Sequence, residues 1–194
     1  MNILVIDSTS DNLVVCAQKD NKRSFKISKE GSKRHNSLIL QYVDIVLSEL
    51  NITLKDIDYF GCVVGPGSFT GIRIAISTQK AFSYVFNKPS VAINSLEEIA
   101  FKHQDKEFYS LIDARHENFY GAKFDSSWKN MVAIGNYTKT QLVETNLPLY
   151  VKDSYSNPDS LLDIAIYKIE NNMFEELMPL YLKKSSAERE RDGE

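Results

Sequence analysis

The stretch Val63–Arg73, VVGPGSFTGIR, is the part of the sequence on which the fold prediction depends. Three glycines and a proline separate a continuously apolar run from a helical pattern, which predicts a tight turn from a buried strand into a helix. Loops of this composition often hold phosphate, because the start of a helix offers free backbone N–H groups. The stretch is therefore either a nucleotide site or a purely structural turn.

The spacing of the glycines differs from that of a Walker phosphate loop. That motif needs four residues between its glycines, then Lys and Ser or Thr, whereas three residues separate Gly67 from Gly71 and Ile72 and Arg73 follow. Because a cation in the first helical turn opposes the helix dipole, we expect Arg73 to meet a carboxylate or an acidic group of a partner.

In the structural interpretation, every part of the loop serves the turn. Two glycines make the turn between strand and helix, a hydroxyl side chain caps the helix, and a third glycine allows close packing. The loop residues concerned are Gly65, Pro66, Gly67, Ser68, Thr70 and Gly71.

The rest of the chain alternates strand and helix patterns in two rounds. The first round predicts strands at 2–6, 13–17, 23–28, 58–64 and 91–93, with helices at 35–50, 69–86 and from a capping box at 95–98 onward. The second predicts strands at 108–112, 118–124, 131–134 and 147–151, a short helix near 138–141 and a helix at 158–169. We expect a first lobe at 1–104, a shortened second lobe at 105–172 and a segment at 173–194 that packs back and then frays.

Each round opens with an apolar strand that ends in Asp and a small residue, at Asp7-Ser8 and at Asp113-Ala114. Two related halves predict an α/β fold with two lobes, the actin-like architecture of the sugar kinase, Hsp70 and actin superfamily. In such open sheets, ligands bind in the cleft at the carboxyl ends of the strands.

The acidic turns are weak nucleotide candidates. Nucleotide-binding turns of this superfamily place a glycine after the Asp so that the backbone can approach phosphate, and neither turn has one. Arg115 adds a bulky cation to the second turn, where it either binds phosphate or fills the cleft. The candidates are Asp7, Ser8, Asp113 and Arg115, and we expect no ATP turnover and no cofactor.

Composition excludes several classes of protein. The 194 residues carry a formal net charge of −3, which argues against a protein that grips nucleic acid alone. The basic cluster Lys22, Arg23, Lys29, Lys33 and Arg34 is interpreted as a solvated rim. No signal peptide or membrane span is expected, and Cys16 and Cys62 in apolar runs indicate buried reduced thiols of a cytoplasmic protein.

The three histidines, His35, His103 and His116, are isolated in sequence. None has the spacing of a metal-binding pair on a helix, because Ile39 stands four residues after His35. We therefore expect no metal site, and we expect His35 to make a polar contact near the start of a helix.

The two helices of the first lobe predict an interface. Their apolar residues cover a wider arc than packing on one sheet requires, and small residues on the second helix permit close approach of another helix. Burial within the same chain is the alternative. The interface candidates are Leu38, Ile39, Tyr42, Val43, Val46, Leu50, Phe69, Arg73, Ile76, Ser77, Lys80, Ala81 and Tyr84.

These stretches resemble the TsaB (YeaZ) family of bacterial tRNA modification proteins. The matching segments are ILVIDSTS, HNSLILQYVDIVL, VVGPGSFTGIRIAIS and IDARHENFYGAKF, with a weaker match at PLYLKKSSA. Between about 128 and 172 the chain is short and divergent, and Val151-Lys152-Asp153-Ser154 stands where a glycine-rich turn is expected.

The resemblance implies a non-catalytic dimerisation subunit. It would support threonylcarbamoylation of adenosine 37 in tRNAs that read codons starting with A, through a catalytic TsaD-type partner and a TsaE-type ATPase. The resemblance also implies a homodimer when the subunit is alone, contact with tRNA only through the complex, and no association with a membrane. ATP and metal would belong to the partners.

Two other functions remain open at this point. The first is a small ATP-dependent kinase or ATPase of the same superfamily, against which the missing glycines after Asp7 and Asp113 argue. The second is a protease, for which the superfamily's metal histidines are lacking.

Overall fold

The computed structural model describes residues 1–28, 34–103 and 105–182. Strands and helices alternate along the chain, and a 3-10 turn at Leu54–Asp56 precedes β4. The elements are β1 (Asn2–Asp7), β2 (Val14–Lys19), β3 (Lys22–Ile27), α1 (His35–Glu49), β4 (Tyr59–Gly65), α2 (Phe69–Phe86), β5 (Ser90–Asn94), α3 (Ser95–Ala100), β6 (Glu107–Asp113), β7 (Asn118–Asp125), β8 (Met131–Thr138), α4 (Lys139–Glu144), β9 (Leu149–Val151) and α5 (Pro158–Glu170).

The strands form two mixed sheets, as the sequence predicts. The first has five strands in the order β3-β2-β1-β4-β5, with antiparallel pairing from β1 to β3 and parallel pairing of β4 with both β1 and β5. The second has four strands in the order β8-β7-β6-β9, with antiparallel pairing from β6 to β8 and parallel pairing of β6 with β9. The second sheet is therefore an abridged version of the first.

Both faces of the first sheet are covered. Helices α1 and α2 pack on one face, together with Leu177 from the C-terminal segment. Helix α5 packs on the other face through Leu161, Leu162, Ile164 and Ala165. Burial on both sides explains why the interior residues of β1 and β4 form continuous apolar runs and do not alternate with polar ones.

Helices α3 and α4 cover the second sheet. Leu96 and Ile99 of α3 pack against Phe108 and Phe124, and α3 also contacts β4 and β5 of the first sheet. On the opposite face, Leu142 of α4 packs against Tyr109 and Leu111. Helix α3 thus joins the two sheets, and the first acidic turn lies near this junction.

The position of helix α5 differs from the one expected from the division of the chain into lobes. It falls within the range 105–172 assigned to the second lobe, yet it packs on the first sheet. Its apolar side covers the face of the first sheet formed by Ile3, Val5 and Val63. The chain therefore returns to the first sheet after β9; Leu177 and Leu180 pack there, and the carbonyl of Leu182 accepts from Asn136 of β8 at 2.8 Å.

The capping box of α3 lies one residue earlier than predicted. The side chain of Asn94 accepts from the N–H of Leu96 at 2.8 Å, and the Glu97 carboxylate accepts from the N–H of Asn94 at 3.1 Å. Ser95 is the first helical residue, and Glu98 makes a different contact.

Candidate functional site

The glycine loop forms a tight turn, and several of its polar groups bond within the chain. Gly65 has φ +110°, a conformation that side chains with a Cβ rarely adopt. The Ser68 side chain accepts from the N–H of Gly71 at 3.2 Å and caps α2, whereas Thr70 is exposed. The N–H of Ser68 donates to the carbonyl of Thr9 at 2.7 Å, so the loop is tied to the first acidic turn.

Gly71 is required by close contact between the loop and that turn. The Ser8 hydroxyl donates to the carbonyl of Gly71 at 2.6 Å. A Cβ atom at position 71 would lie 1.7 Å from the carbonyl oxygen of Ser8, which is far inside van der Waals contact. The predicted packing role of this glycine is confirmed, and the space in front of Ser8 is occupied by α2.

Among the described residues, Arg73 meets aromatic groups and no carboxylate, so the expected contact with an acidic group of a partner stays a prediction. Its guanidinium carbon lies 4.0 Å from the centroid of the Phe69 ring. Its Nε donates to the hydroxyl of Tyr181 at 2.9 Å, and the Tyr181 ring stacks on Phe69 at 4.5 Å. Cation–π attraction and a phenol oxygen thus hold the Arg73 guanidinium within the chain.

The Asp7 carboxylate is fully buried and bonded on both oxygens. Oδ1 accepts from the N–H and the hydroxyl of Thr9 at 2.8 and 2.6 Å. Oδ2 accepts from the hydroxyl of Ser156 at 2.5 Å and lies 3.5 Å from the ammonium of Lys152. Lys152 also donates to the Thr9 hydroxyl at 3.0 Å. The chain's own donors therefore fill the site where a nucleotide turn would present its carboxylate to a ligand.

The two buried carboxyls near this junction have pKa values shifted in opposite directions. Burial alone would raise the pKa of Asp7, but Lys152 and the hydrogen bonds from Ser156 and Thr9 outweigh burial and lower it. Burial raises the pKa of Glu98, against the lowering effects of Lys152 and the N–H of Asn157. That N–H donates to Glu98 at 2.9 Å, so the loop before α5 covers both carboxyls.

The second acidic turn is exposed and separately organised. The Asp113 carboxylate accepts from the N–H of Arg115 at 2.7 Å. Arg115, His116 and Glu117 all have positive φ values, of 68°, 54° and 59°. The structure gives no contact between Asp113 or Arg115 and the buried Asp7 cluster, so it does not unite the four nucleotide candidates in one site among the described residues.

His35 and both cysteines occupy the environments that the sequence predicts. His35 is buried, and its Nε2 lies 3.0 Å from the carbonyl of Asp11. Cys16 and Cys62 are free and buried, and burial raises the pKa of both thiols. Within residues 1–28, 34–103 and 105–182, no three His, Cys, Asp or Glu side chains form a group suited to a metal ion.

Five of the interface candidates lie in the chain's own core, which corrects the prediction for them. Helix α1 packs on the first sheet and beside α2, so much of its wide apolar arc is covered from within the chain, whereas Leu40 is exposed. Leu38 and Tyr42 are half-buried against the same cluster. The five buried residues are Ile39, Val43, Val46, Leu50 and Ile76.

Phe69 is half-buried beneath Tyr181 and Arg73, and the other five candidates form an exposed stripe along α2. Arg73, Ser77, Lys80 or Ala81, and Tyr84 follow one another at steps of three or four residues, so they share one side of the helix, and all five are exposed. Tyr84 has 89% of its surface accessible, which is unusual for an aromatic side chain. We call this set the α2 stripe.

Several residues that build these sites carry little signal in the sequence. Lys152 follows a strand directly, in the position noted for its missing glycine, but nothing in its neighbourhood points to Asp7. Ser156, Glu98 and Tyr181 likewise gain their partners only through contacts between distant segments.

No helix in the described part of the chain is both long and apolar enough to cross a membrane. The basic cluster is only partly described, because Lys29 and Lys33 lie outside the described residues. Arg23 pairs with Asp159 and Asp163. The predicted fraying of the C-terminal tail concerns residues 183–194, which also lie outside the described residues.

Comparison with known proteins connects the fold to a family. The family model TsaD, described as tRNA N6-adenosine threonylcarbamoyltransferase, matches residues 27–150. The TsaB protein of Buchnera aphidicola, named a tRNA threonylcarbamoyladenosine biosynthesis protein, is 31% identical over 72% of this chain and 64% of its own length. A tRNA N6-adenosine threonylcarbamoyltransferase of Clostridium kluyveri is 33% identical over 43% of this chain and 25% of its own length. The chain thus spans less than two thirds of the length of these relatives.

The fold agrees with a solved member of the same group. YeaZ from Pseudomonas aeruginosa superposes with a TM-score of 0.78 over 93% of this chain and 99% of that one, at 18% identity. This similarity confirms the predicted actin-like fold. The family model covers more than half of the chain, and it includes the glycine loop and the helices α1 and α2. The chain therefore belongs to the family that the TsaD model describes and, within it, to the TsaB (YeaZ) proteins.

Proposed function

We propose that this chain is a non-catalytic docking subunit in the synthesis of threonylcarbamoyladenosine in tRNA. It acts in the cytoplasm by binding a catalytic TsaD-type partner, which modifies adenosine 37 of tRNAs that read codons starting with A. ATP and metal belong to the partners, among them a TsaE-type ATPase. Alone the subunit forms a homodimer, and it meets tRNA only through the complex.

The state of Asp7 carries the non-catalytic part of the proposal. Catalytic carboxylates in a cleft need a face open to substrate, metal or water, whereas both oxygens of Asp7 are bonded to Thr9, Ser156 and Lys152. Gly71 packs directly against the backbone carbonyl of Ser8, which leaves no room there for a ligand group. A ligand phosphate would compete with Asp7 for the Lys152 ammonium and bring a second negative charge next to a buried carboxylate, which is costly.

The docking part of the proposal is supported by the α2 stripe and by the kinship of the expected partner. The region matched by the TsaD model contains α1 and α2, so a TsaD-type protein presents an equivalent pair of helices. Related lobes can pair through equivalent surfaces with two-fold pseudosymmetry. The stripe includes Ala81 and Ser77, and small residues let two helices approach closely.

Reconstitution tests the proposal. The modified nucleoside would be measured by mass spectrometry in mixtures of tRNA, substrates, a TsaD-type protein and a TsaE-type protein, with and without this chain. We expect modification to require the chain, and Ala81→Arg to abolish it. Arg115→Ala, in the exposed second turn, is the matched control and should retain full modification.

Two results would overturn the proposal. One is magnesium-dependent ATP hydrolysis by the purified chain alone that disappears in Asp7→Ala, since this would favour a kinase or ATPase. The other is full modification in the mixture that lacks the chain.

A further inference from the structure

The C-terminal segment 173–182, which we call the strap, runs along the flank of α2. The N–H of Leu180 donates to the carbonyl of Val64 at 2.8 Å, next to the glycine loop. Glu176 pairs with Lys80 at 3.1 Å, and the Leu177 side chain is buried in the core under α2. The strap is therefore a fixed part of the layer that contains α1 and α2.

The outer surface of the strap is unusually apolar. Met173, Phe174, Met178 and Tyr181 are all exposed, although they come from one segment of ten residues. Met178 has 57% of its surface accessible and lies between the anchoring residues Leu177 and Leu180. Clustered exposed apolar side chains of this kind mark interaction surfaces more often than free surfaces.

The strap and the α2 stripe form one continuous surface. Tyr181 stacks on Phe69 and accepts a hydrogen bond from Arg73, and Glu176 binds Lys80, so two members of the stripe are held by the strap. Any partner that covers the stripe at Arg73 and Lys80 reaches the strap beside it. The aromatic contacts also hold the Arg73 guanidinium in one orientation before a partner arrives.

We propose that the strap is part of the surface that binds the TsaD-type partner, with Met178 and Tyr181 packing on the partner's helices. This inference rests on the function proposed above. The range matched by the TsaD model, residues 27–150, includes α1 and α2 but ends before the strap. Both proteins therefore contribute an equivalent pair of helices to the proposed contact. The strap is an additional surface that only this chain contributes, so the contact would be more than a symmetric pairing of helices.

The affinity for the TsaD-type protein of the same organism tests the inference. Met178→Lys places a charge on an exposed side chain, so the fold is preserved, and we expect the dissociation constant to rise at least tenfold. Val143→Lys is the matched control, because Val143 is equally apolar and 60% exposed but lies on α4. It should bind as the unaltered chain does. Ala81→Arg, in the α2 stripe, should bind least.

The outcomes separate this inference from the proposed function. If Ala81→Arg abolishes binding and Met178→Lys does not weaken it, the strap inference is wrong and the docking role stands. If the unaltered chain does not bind the TsaD-type protein at all, the proposed function fails. If neither variant weakens binding, both the strap and the stripe lie outside the contact.

Cross-linking gives an independent result. Met178→Cys adds a single accessible thiol, since both native thiols are buried and have raised pKa values. After labelling with a maleimide photo-cross-linker, we expect covalent capture of the TsaD-type protein from the purified complex. Capture from Ala81→Cys but not from Met178→Cys would overturn the inference.

Discussion

The contact between Asp7 and Lys152 shows how single residues close the cleft. The two residues are 145 positions apart and come from the ends of strands in different sheets. Both side chains are almost entirely removed from water. A buried charge without its partner is strongly destabilising, so each residue depends on the other.

Removing the ammonium tests this dependence. Lys152→Met keeps most of the side-chain volume but leaves the Asp7 carboxylate without its counter-charge. We expect the free energy of unfolding, measured by urea denaturation, to fall by about 3–5 kcal/mol. The control is Lys139→Met, which breaks an exposed pair with Glu117 and should cost at most about 1 kcal/mol. Equal losses in the two variants would contradict the prediction.

Glu98 gives the stability of the protein a defined dependence on pH. Its pKa in the folded chain is raised from the ordinary value of 4.5. A carboxyl with a raised folded pKa binds its proton more tightly in the folded state. Its contribution is therefore fully present below pH 4.5 and is lost as the pH rises through the folded pKa.

Glu98→Gln removes this titration and keeps an oxygen to accept from the N–H of Asn157. We expect the stability of the unaltered chain relative to this variant to decrease as the pH rises above 4.5. Urea denaturation at several pH values measures the difference. A constant difference across the range, or one that grows with pH, would contradict the raised pKa.

At the scale of the elements, the glycine loop fixes where α2 begins. The predicted and observed bounds of this helix are the same, Phe69–Phe86, because the cap at Ser68 and the glycines before it are local signals. The role of Gly71 depends on a second element, the turn after β1, whose backbone comes too close for any side chain.

Gly71→Ala tests that contact. The added Cβ would clash with the backbone oxygen of Ser8, so the helix or the turn must shift. We expect a loss of stability of about 1–3 kcal/mol, together with weaker binding of the partner. Gly135→Ala is the control, because its Cβ would meet no atom nearer than 3.8 Å. Similar melting temperatures for both variants would contradict the prediction.

The apolar arc of α1 shows what the periodicity of apolar residues cannot predict for a single helix. A wide arc indicates that two surfaces cover a helix, but it does not say whether the second surface belongs to the same chain. Val46 and Ile39 turned out to lie in the core, while Ala81 and Tyr84 on α2 are exposed. The exposed part of the predicted interface is therefore narrower than the predicted set, and the docking surface proposed above consists of the α2 stripe and the strap.

The whole molecule has a net charge of −3, and part of its basic cluster is neutralised by its own acids. Arg23 pairs with two aspartates of α5. Contacts to phosphate supply most of the affinity of proteins for nucleic acids and depend strongly on salt. Since residues 1–28, 34–103 and 105–182 show no large basic face, the chain should hold tRNA poorly.

We expect the isolated chain to bind tRNA with a dissociation constant weaker than about 10 µM at physiological salt. A filter-binding or fluorescence titration at several salt concentrations measures this value. The complex with a TsaD-type protein, assayed in parallel, should bind more tightly. Tight, salt-sensitive binding by the chain alone would reveal a basic surface that the described residues do not show.

The sequence by itself determined the elements and the class of fold. Capping residues, glycines and the periodicity of apolar side chains act over a few positions, so α1, α2 and most strands begin and end within two residues of their predicted bounds. Strand β8 runs to Thr138, four residues beyond the prediction, because pairing with β7 stabilises a segment whose own pattern is weak.

Only the tertiary structure decided which surfaces remain free. The burial of α1, the return of α5 to the first sheet, and the enclosure of Asp7 by Lys152 and Ser156 all depend on contacts between segments far apart in the chain. An apolar stripe or a charged side chain records that a partner is needed, not which one. Which segment of the chain covers each of these groups depends on how the sheets, the helices and the strap pack together.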